Sequence, residues 1–371
     1  MLIFTSCLSN YLPKAKVLAN SVKKHHPDWH FCLVIGDKEN VENTDNFFDE
    51  IVSFDQLNIP NFSQWKFRHR IVEICTAAKA PALKYFLERG EEKVIYLDPD
   101  TKVFNSLAPL SKLLDKSDIL LTPHILHPEE TTNIPVNEFS CLAHGIYNLG
   151  FFAVANRPVG KKFASWWSDR LYDYCLDDKS RGLFTDQKWC DFVPVFFGDS
   201  FISIDDCGYN VASWNLFERP LSKDRDSFLA REKPLRFYHF TGYDSGAGFC
   251  NSSSWFRDMP VLKEMWDDYR TELEKFGQNN TKNKVWKEYS YFPNGEKISD
   301  KMRLLYRSRI DLMKAFPDPY NSLGFQKWLK DNSRELESPE GQLSSAINRL
   351  LPKNSLRRSV AKKILKTLSR S

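Results

Sequence analysis

A chain of 371 residues with 42% hydrophobic and 27% charged residues reads as a soluble globular protein, long enough for one large domain with an appendage or for two domains. A net charge of only +4 argues against a protein that binds nucleic acid through its overall charge. No apolar run approaches the eighteen or so residues of a membrane span, and Met1 to Thr5 enters an apolar strand at once, which predicts no signal peptide. The eight cysteines are scattered without C-x-x-C spacing, so zinc and thioredoxin-type chemistry are disfavoured and a reducing compartment is expected. The N-x-S/T triplets at Asn61, Asn251 and Asn279 are then chance matches.

In chain order, Leu2 to Ser6 reads as a first strand. Pro13 opens a helix with Ala15, Leu18 and Val22 on one face, and Phe31 to Ile35 forms a second strand ending at Gly36-Asp37. This strand–helix–strand opening predicts a Rossmann-like, doubly wound α/β sheet. Ile51 to Phe54 is a third strand, and Phe67 to Leu87 is mainly helical, interrupted near Pro81 and stopped by Gly90. The run Val94-Ile95-Tyr96-Leu97 is a buried strand of a parallel sheet, and Pro99 ends it. Leu107 to Leu114 is a short helix and Ile119 to Thr122 a further strand. Pro123 to Leu142 is polar and reads as a loop. Gly150 to Ala155 is apolar again, Lys161 to Leu176 is an aromatic-rich helix, and Phe201 to Ile204 and Arg236 to Phe240 close the set of strands. The pattern fades near residue 255. The expected division is a catalytic domain over 1–250 and a helical C-terminal extension over 251–371, anchored by Trp266, Trp286 and Trp328. The extension ends in a basic stretch, 351–371, whose Val360, Ala361, Ile364, Leu365 and Leu368 share a helical face. A basic amphipathic helix suits an anionic membrane surface; a soluble tail, or a helix docked on its own domain, is the alternative.

Asp98 and Asp100 follow the fourth strand at spacing two, on a turn at its carboxyl end, where open α/β sheets place their ligands. Two carboxylates there suit Mg²⁺ or Mn²⁺. Two enzymatic readings follow. One is the D-x-D-x-T nucleophile loop of dehalogenase-type phosphatases. Here Thr101 comes one place early, about ninety residues precede the loop, and the late metal motif is missing, because Ser203 and Asn210 stand where an aspartate is needed.

The other reading is the metal motif of a GT-A glycosyltransferase. Asp98-Pro99-Asp100, Asn10-Tyr11, Tyr147-Asn148-Leu149-Gly150-Phe151, Asp186-Gln187 and His239-Phe240-Thr241-Gly242 fall in the order found in glycosyltransferase family 8, and together the chain resembles that family over most of its first 245 residues. The resemblance implies a retaining enzyme that uses a nucleotide-diphosphate sugar. Asp98, Asp100 and His239 would hold the ion, whose charge offsets that of the leaving diphosphate. His239 read alone is more often a core residue, and the Thr241-Gly242 that follows tilts the reading toward the ion. Tyr11 and Asn10 would meet the base, with Thr5 at the strand end, and Tyr11 is otherwise a packing residue. Gly242 would let the backbone approach the diphosphate, and Lys79 would reach the diphosphate or donor sugar unless it is a surface lysine. Asn148 and Asp186 would bind sugar hydroxyls. Gln187 is expected beneath the anomeric carbon, where a neutral amide supports a front-face, retaining transfer; Asp186 is the nearest alternative nucleophile. Thr185-Asp186 would otherwise cap a helix.

Two departures from the family stand out. Leu8 and Ser9 replace the acid that often binds uracil, and no lysine follows Gly242 in the stretch through Phe249. On the acceptor side, His124, His127 and Glu138 flank the polar loop, and Trp214, Asn215 and Arg219 follow a strand. The sequence therefore points to a metal-dependent glycosyltransferase using an Mn²⁺ or Mg²⁺ ion, a UDP-type donor and a glycan or lipid-linked acceptor, in the cytoplasm or on the inner face of a bacterial membrane. The alternatives are the phosphatase and a non-catalytic nucleotide-sugar-binding protein.

Overall fold

The computed structural model describes residues 1–38, 41, 47–128, 134–281, 283–321, 323–332 and 358–361. The chain forms two compact units, one of Met1–Asn58 with Cys75–Val285, the other of Ile59–Ile74 with Trp286–Ser371.

The first unit is α/β. Its strands are β1 (Leu2–Cys7), β2 (His30–Ile35), β3 (Glu50–Ser53), β4 (Lys93–Leu97), β5 (Thr101–Val103), β6 (Ile119–Pro123) and β7 (Tyr147–Ala155). A seven-stranded sheet has the order Phe201–Ser203, β6, β7, β4, β1, β2, β3. β1, β4, β6 and β7 are almost wholly buried, as continuous apolar runs between helical layers must be. All neighbours pair in parallel except β7, which runs antiparallel to both β4 and β6. That reversal sets Leu97 opposite Phe151, and the N–H of Asp98 donates to the Gly150 carbonyl at 2.8 Å. The start of β7 therefore meets the end of β4. β5 belongs to a separate two-stranded ribbon with Phe237–His239, in which His239 pairs with Thr101.

Helix α1 (Leu12–His25) buries the expected face. The helical stretch before β4 is three helices, α2 (Phe62–Arg68), α3 (Ile71–Ala77) and α4 (Lys79–Glu88). The breaks fall at extended His69 and at Ala78, not at Pro81, which sits in the first turn of α4 where a missing N–H costs nothing. α5 spans Ala108–Lys116 and α7 Pro158–Tyr174. Between them the expected loop contains a helix, α6 (Ile134–His144). None of its side chains is buried, so it lacks the apolar stripe that marks a helix in sequence. Beyond residue 250 the packing of the first unit continues. The helix Pro260–Lys275 buries Leu262, Met265, Trp266, Tyr269 and Leu273 in one cluster with Tyr238 and Phe240, and Phe240 stacks on Tyr269 at 3.9 Å. It backs the strand that carries His239.

The second unit is helical and is built around Phe67, which packs with Phe292, Tyr306, Leu312, Phe325 and Leu329. Of the basic stretch 351–371 only 358–361 are described, as helix; the rest lies outside the described residues. Among the described residues no helix is long and apolar enough to cross a membrane.

Candidate active site

Asp98, Asp100 and His239 converge. Asp98 and Asp100 ride the turn after β4, and the pairing of Phe237–His239 with β5 brings the imidazole over them. One ligand atom from each lies within 4.8 Å of the others. His239 Nε2 is 3.1 Å from Asp100 Oδ1 and 3.7 Å from Asp98 Oδ2. Burial disfavours the imidazolium, but Asp100 beside it outweighs burial and raises its pKa. Burial also disfavours the Asp100 carboxylate; His239, with Lys14, overcomes this and holds it at about 2. Two carboxylates and an imidazole form a donor set suited to Mn²⁺ or Mg²⁺, so the residues fit such an ion. Gly150 is fixed by this geometry, because a Cβ there would lie 2.6 Å from the His239 ring.

Lys79 is not a surface lysine. It is buried at the start of α4, and its ammonium meets Asp98 Oδ1 at 3.1 Å, Asp186 Oδ2 at 3.0 Å and the Leu149 carbonyl at 2.9 Å. Burial works against its charge, and Asp186 and Asp98 overcome that, raising its pKa. Burial in turn raises the pKa of Asp186, and Lys79 offsets part of the shift. Tyr96 donates to Asp98 Oδ1 at 2.6 Å, which orients that carboxylate. Asp186 and Gln187 follow Thr185, a β-branched residue held at φ 44°. Such backbone strain, of order 1–3 kcal/mol, persists only where surroundings over-determine it. The side chains do not cap a helix: Thr185 Oγ1 donates to Asp186 Oδ1 at 3.0 Å, and Gln187 Nε2 donates to the His144 carbonyl at 2.9 Å.

A second polar line runs beside the ion site. Trp214 lies edge-on between His239 and His124, with ring centroids 5.5 and 5.6 Å away. His124 Nδ1 faces the Ile146 carbonyl at 3.2 Å, and Nε2 meets Asn148 Nδ2 at 3.1 Å. Burial lowers its pKa to about 4, so it is neutral. Asn148 Oδ1 accepts from Gly150 N–H and from Asn210, and Asn210 also donates to Thr122. Asn215 is fully buried, with its amide taken by Ala212, His124 and Asn210. Arg219 and Glu218 hold the backbone at 123, 126, 127 and 209. His127 is exposed, and Glu138 is half-buried on α6.

Residues 2–156 match the sequence model of glycosyl transferase family 8. The first part of the chain, on an α/β sheet, therefore resembles glycosyl transferase family 8. The match displaces the phosphatase alternative. The chain is 28% identical over 181 residues to YfnF of Bacillus subtilis (strain 168), a match that covers 46% of this chain and 57% of that protein. It is 22% identical over 237 residues to YfnD of the same strain, covering 62% of this chain and 74% of that protein. A solved structure of the galactosyltransferase LgtC with donor and acceptor sugar analogues aligns with a TM-score of 0.45 at 17% identity, covering 74% of this chain and 96% of LgtC.

The residues expected to meet the base sit at and just beyond the end of β1. Thr5 is fully buried on β1, and its hydroxyl has no hydrogen-bond partner among the described residues. Asn10 and Tyr11 form the turn entering α1. Gly242 adopts φ 69° three residues after His239. Sequence reasoning missed three residues here: Lys14, Tyr96 and Asn210. Lys14 had a visible signal, since a lysine one turn before Leu18 stands on the apolar face of α1.

Proposed function

We propose that the chain transfers a sugar from a nucleotide-diphosphate donor, UDP-linked in our reading, to a glycan or lipid-linked acceptor with retention of configuration. The observation that carries this is the convergence of Asp98, Asp100 and His239 with Lys79 and Asp186 in one buried cluster. Asp98, Asp100 and His239 would hold Mn²⁺ or Mg²⁺, which supplies charge neutralisation of the diphosphate leaving group. Lys79 fixes Asp98 and Asp186 relative to each other, and Tyr96 fixes the rotamer of Asp98. Asp186 and Asn148 take sugar hydroxyls. Gln187 presents its amide oxygen to the anomeric centre, while its NH₂ is tethered to the His144 carbonyl. The acceptor hydroxyl enters on the face the phosphate leaves, and its proton passes to the departing phosphate oxygen. Neutral His124 and the ring of Trp214 line the acceptor side, where an aromatic face suits a sugar. Thr5, Asn10 and Tyr11 take the base. The basic stretch 351–371 would bring the enzyme to the cytoplasmic face of an anionic membrane. In this reading residues 1–250 carry the catalytic machinery and 251–371 extend it.

The test is nucleotide release from UDP-, GDP- and TDP-sugars with Mn²⁺, Mg²⁺ or EDTA. Metal-dependent release from one donor, lost in Asp100→Ala, supports the transferase and names the sugar. Tight donor binding without release, across a panel of acceptors, would instead make this a nucleotide-sugar-binding protein.

A further inference from the structure

The family-type lysine after Gly242 is missing, and Lys79, its sequence-level substitute, is already paired: its ammonium donates to the Leu149 carbonyl and lies 3.1 Å from Asp98 and 3.0 Å from Asp186. A second buried ammonium lies at the nucleotide end. Lys14 is 1% exposed, sits 3.6 Å from the centre of the Tyr11 ring, and makes its side-chain hydrogen bond and ion pair with Asp244 Oδ2. Asp244 is 40% exposed and also accepts from Gln278 Nε2 at 3.0 Å. It stands two residues beyond Gly242. Lys14 bears directly on the Asp100 carboxylate, and Tyr11 is under the influence of Asp100 and Asp244 together. Lys14 therefore stands against Tyr11, and its charge reaches Asp100 of the carboxylate–histidine cluster.

We propose that Lys14 is the diphosphate-binding cation of this chain, and that Asp244 occupies the place a donor phosphate takes. The inference rests on the transferase reading above. A buried ammonium cannot be left without an anion, because water cannot replace one at 1% exposure. Asp244 can be released, because a half-exposed carboxylate regains its hydration at small cost. A phosphate brings several acceptor oxygens where Asp244 supplies one bond, and Lys14 has two donors to spare. Between Thr241 and Ser245, no backbone N–H donates to a protein acceptor among the described residues, so this segment offers donors to the same phosphates. Moving the cation from the loop after Gly242 to the first turn of α1 thus accounts for a donor-site lysine absent from its family position.

Calorimetric titration of UDP, GDP and TDP in Mn²⁺, with uridine, guanosine and thymidine as controls, tests this on the full chain. For the diphosphate that binds, Lys14→Met weakens affinity about thirty-fold, the worth of a charge-assisted bond, and leaves the nucleoside within about two-fold. Lys14→Arg retains most of the affinity. Asp244→Asn tightens it several-fold, because phosphate no longer displaces a carboxylate. The opposite signs separate this from a structural staple, in which both Lys14→Met and Asp244→Asn would weaken binding together. If Lys14→Met does not fold, the sign for Asp244→Asn decides alone. Diphosphate binding unchanged in Lys14→Met overturns the assignment and leaves the transferase reading intact; a wild type that binds no diphosphate overturns both.

Discussion

Lys79 in the first unit and Arg303 in the second are both almost wholly buried, and their surroundings differ in one respect. Arg303 donates to the carbonyls of Phe67 and Tyr289 and lies 3.6 Å over the Tyr289 ring. Nearby, Glu73 sits between Arg70 and Arg307. These charges close on themselves. Around Lys79, three carboxylates, Asp98, Asp100 and Asp186, face one ammonium and an imidazole. An excess of buried negative charge is costly by itself and would become favourable on binding a divalent cation. Folding energy is spent on balance in one unit and withheld in the other, and the imbalance marks the site.

Removing Asp100 breaks that comparison most severely. Asp100→Ala is expected to lower metal-dependent nucleotide release by more than about a hundredfold, because the ion loses a carboxylate ligand. Glu73→Ala does the reverse. It leaves two arginines without their carboxylate and costs about 2–3 kcal/mol in denaturant unfolding, with donor turnover per folded molecule unchanged. Gly150→Ala sharpens the contrast inside the first unit. Its methyl displaces the His239 ring, and Mn²⁺ affinity measured by calorimetry falls about tenfold.

The smallest effect is on pH. Burial lowers His26 and His124 to about 4 and His69 to about 3. Their folded values lie below the unfolded value, so the unfolded chain takes up protons first. Their stabilisation is full above about pH 6.5 and is lost progressively toward pH 4. His26 Nε2 accepts from the Leu107 N–H at 2.7 Å, so His26→Gln should flatten the fall in thermal midpoint between pH 7 and 5.

Much of this was legible in the chain because β1, β2, β4 and β6 are buried on both faces and so read as continuous apolar runs. Asp98-Pro99-Asp100 was legible because proline ends a strand. The direction of β7 was not, because a fully buried strand carries no alternation that reveals its neighbours' sense. α6 was hidden by having no buried face. Lys79 was read as equally a surface lysine, since its partners stand far away in sequence, at 98, 149 and 186. Asn215 shows the converse: a polar residue in a plausible acceptor stretch proves to be spent on the backbone around it.

The excursion of residues 59–74 into the second unit sets a schedule for synthesis. Phe67 and Trp65 leave the ribosome about 220 residues before Trp286, the start of the segment that covers Phe67. At roughly 5–20 residues per second, that aromatic helix waits some 10–40 seconds with its partners still unmade. The nascent chain therefore carries a sticky helix while the rest of its unit is still unmade, so its yield should respond to translation speed and to ribosome-associated chaperones.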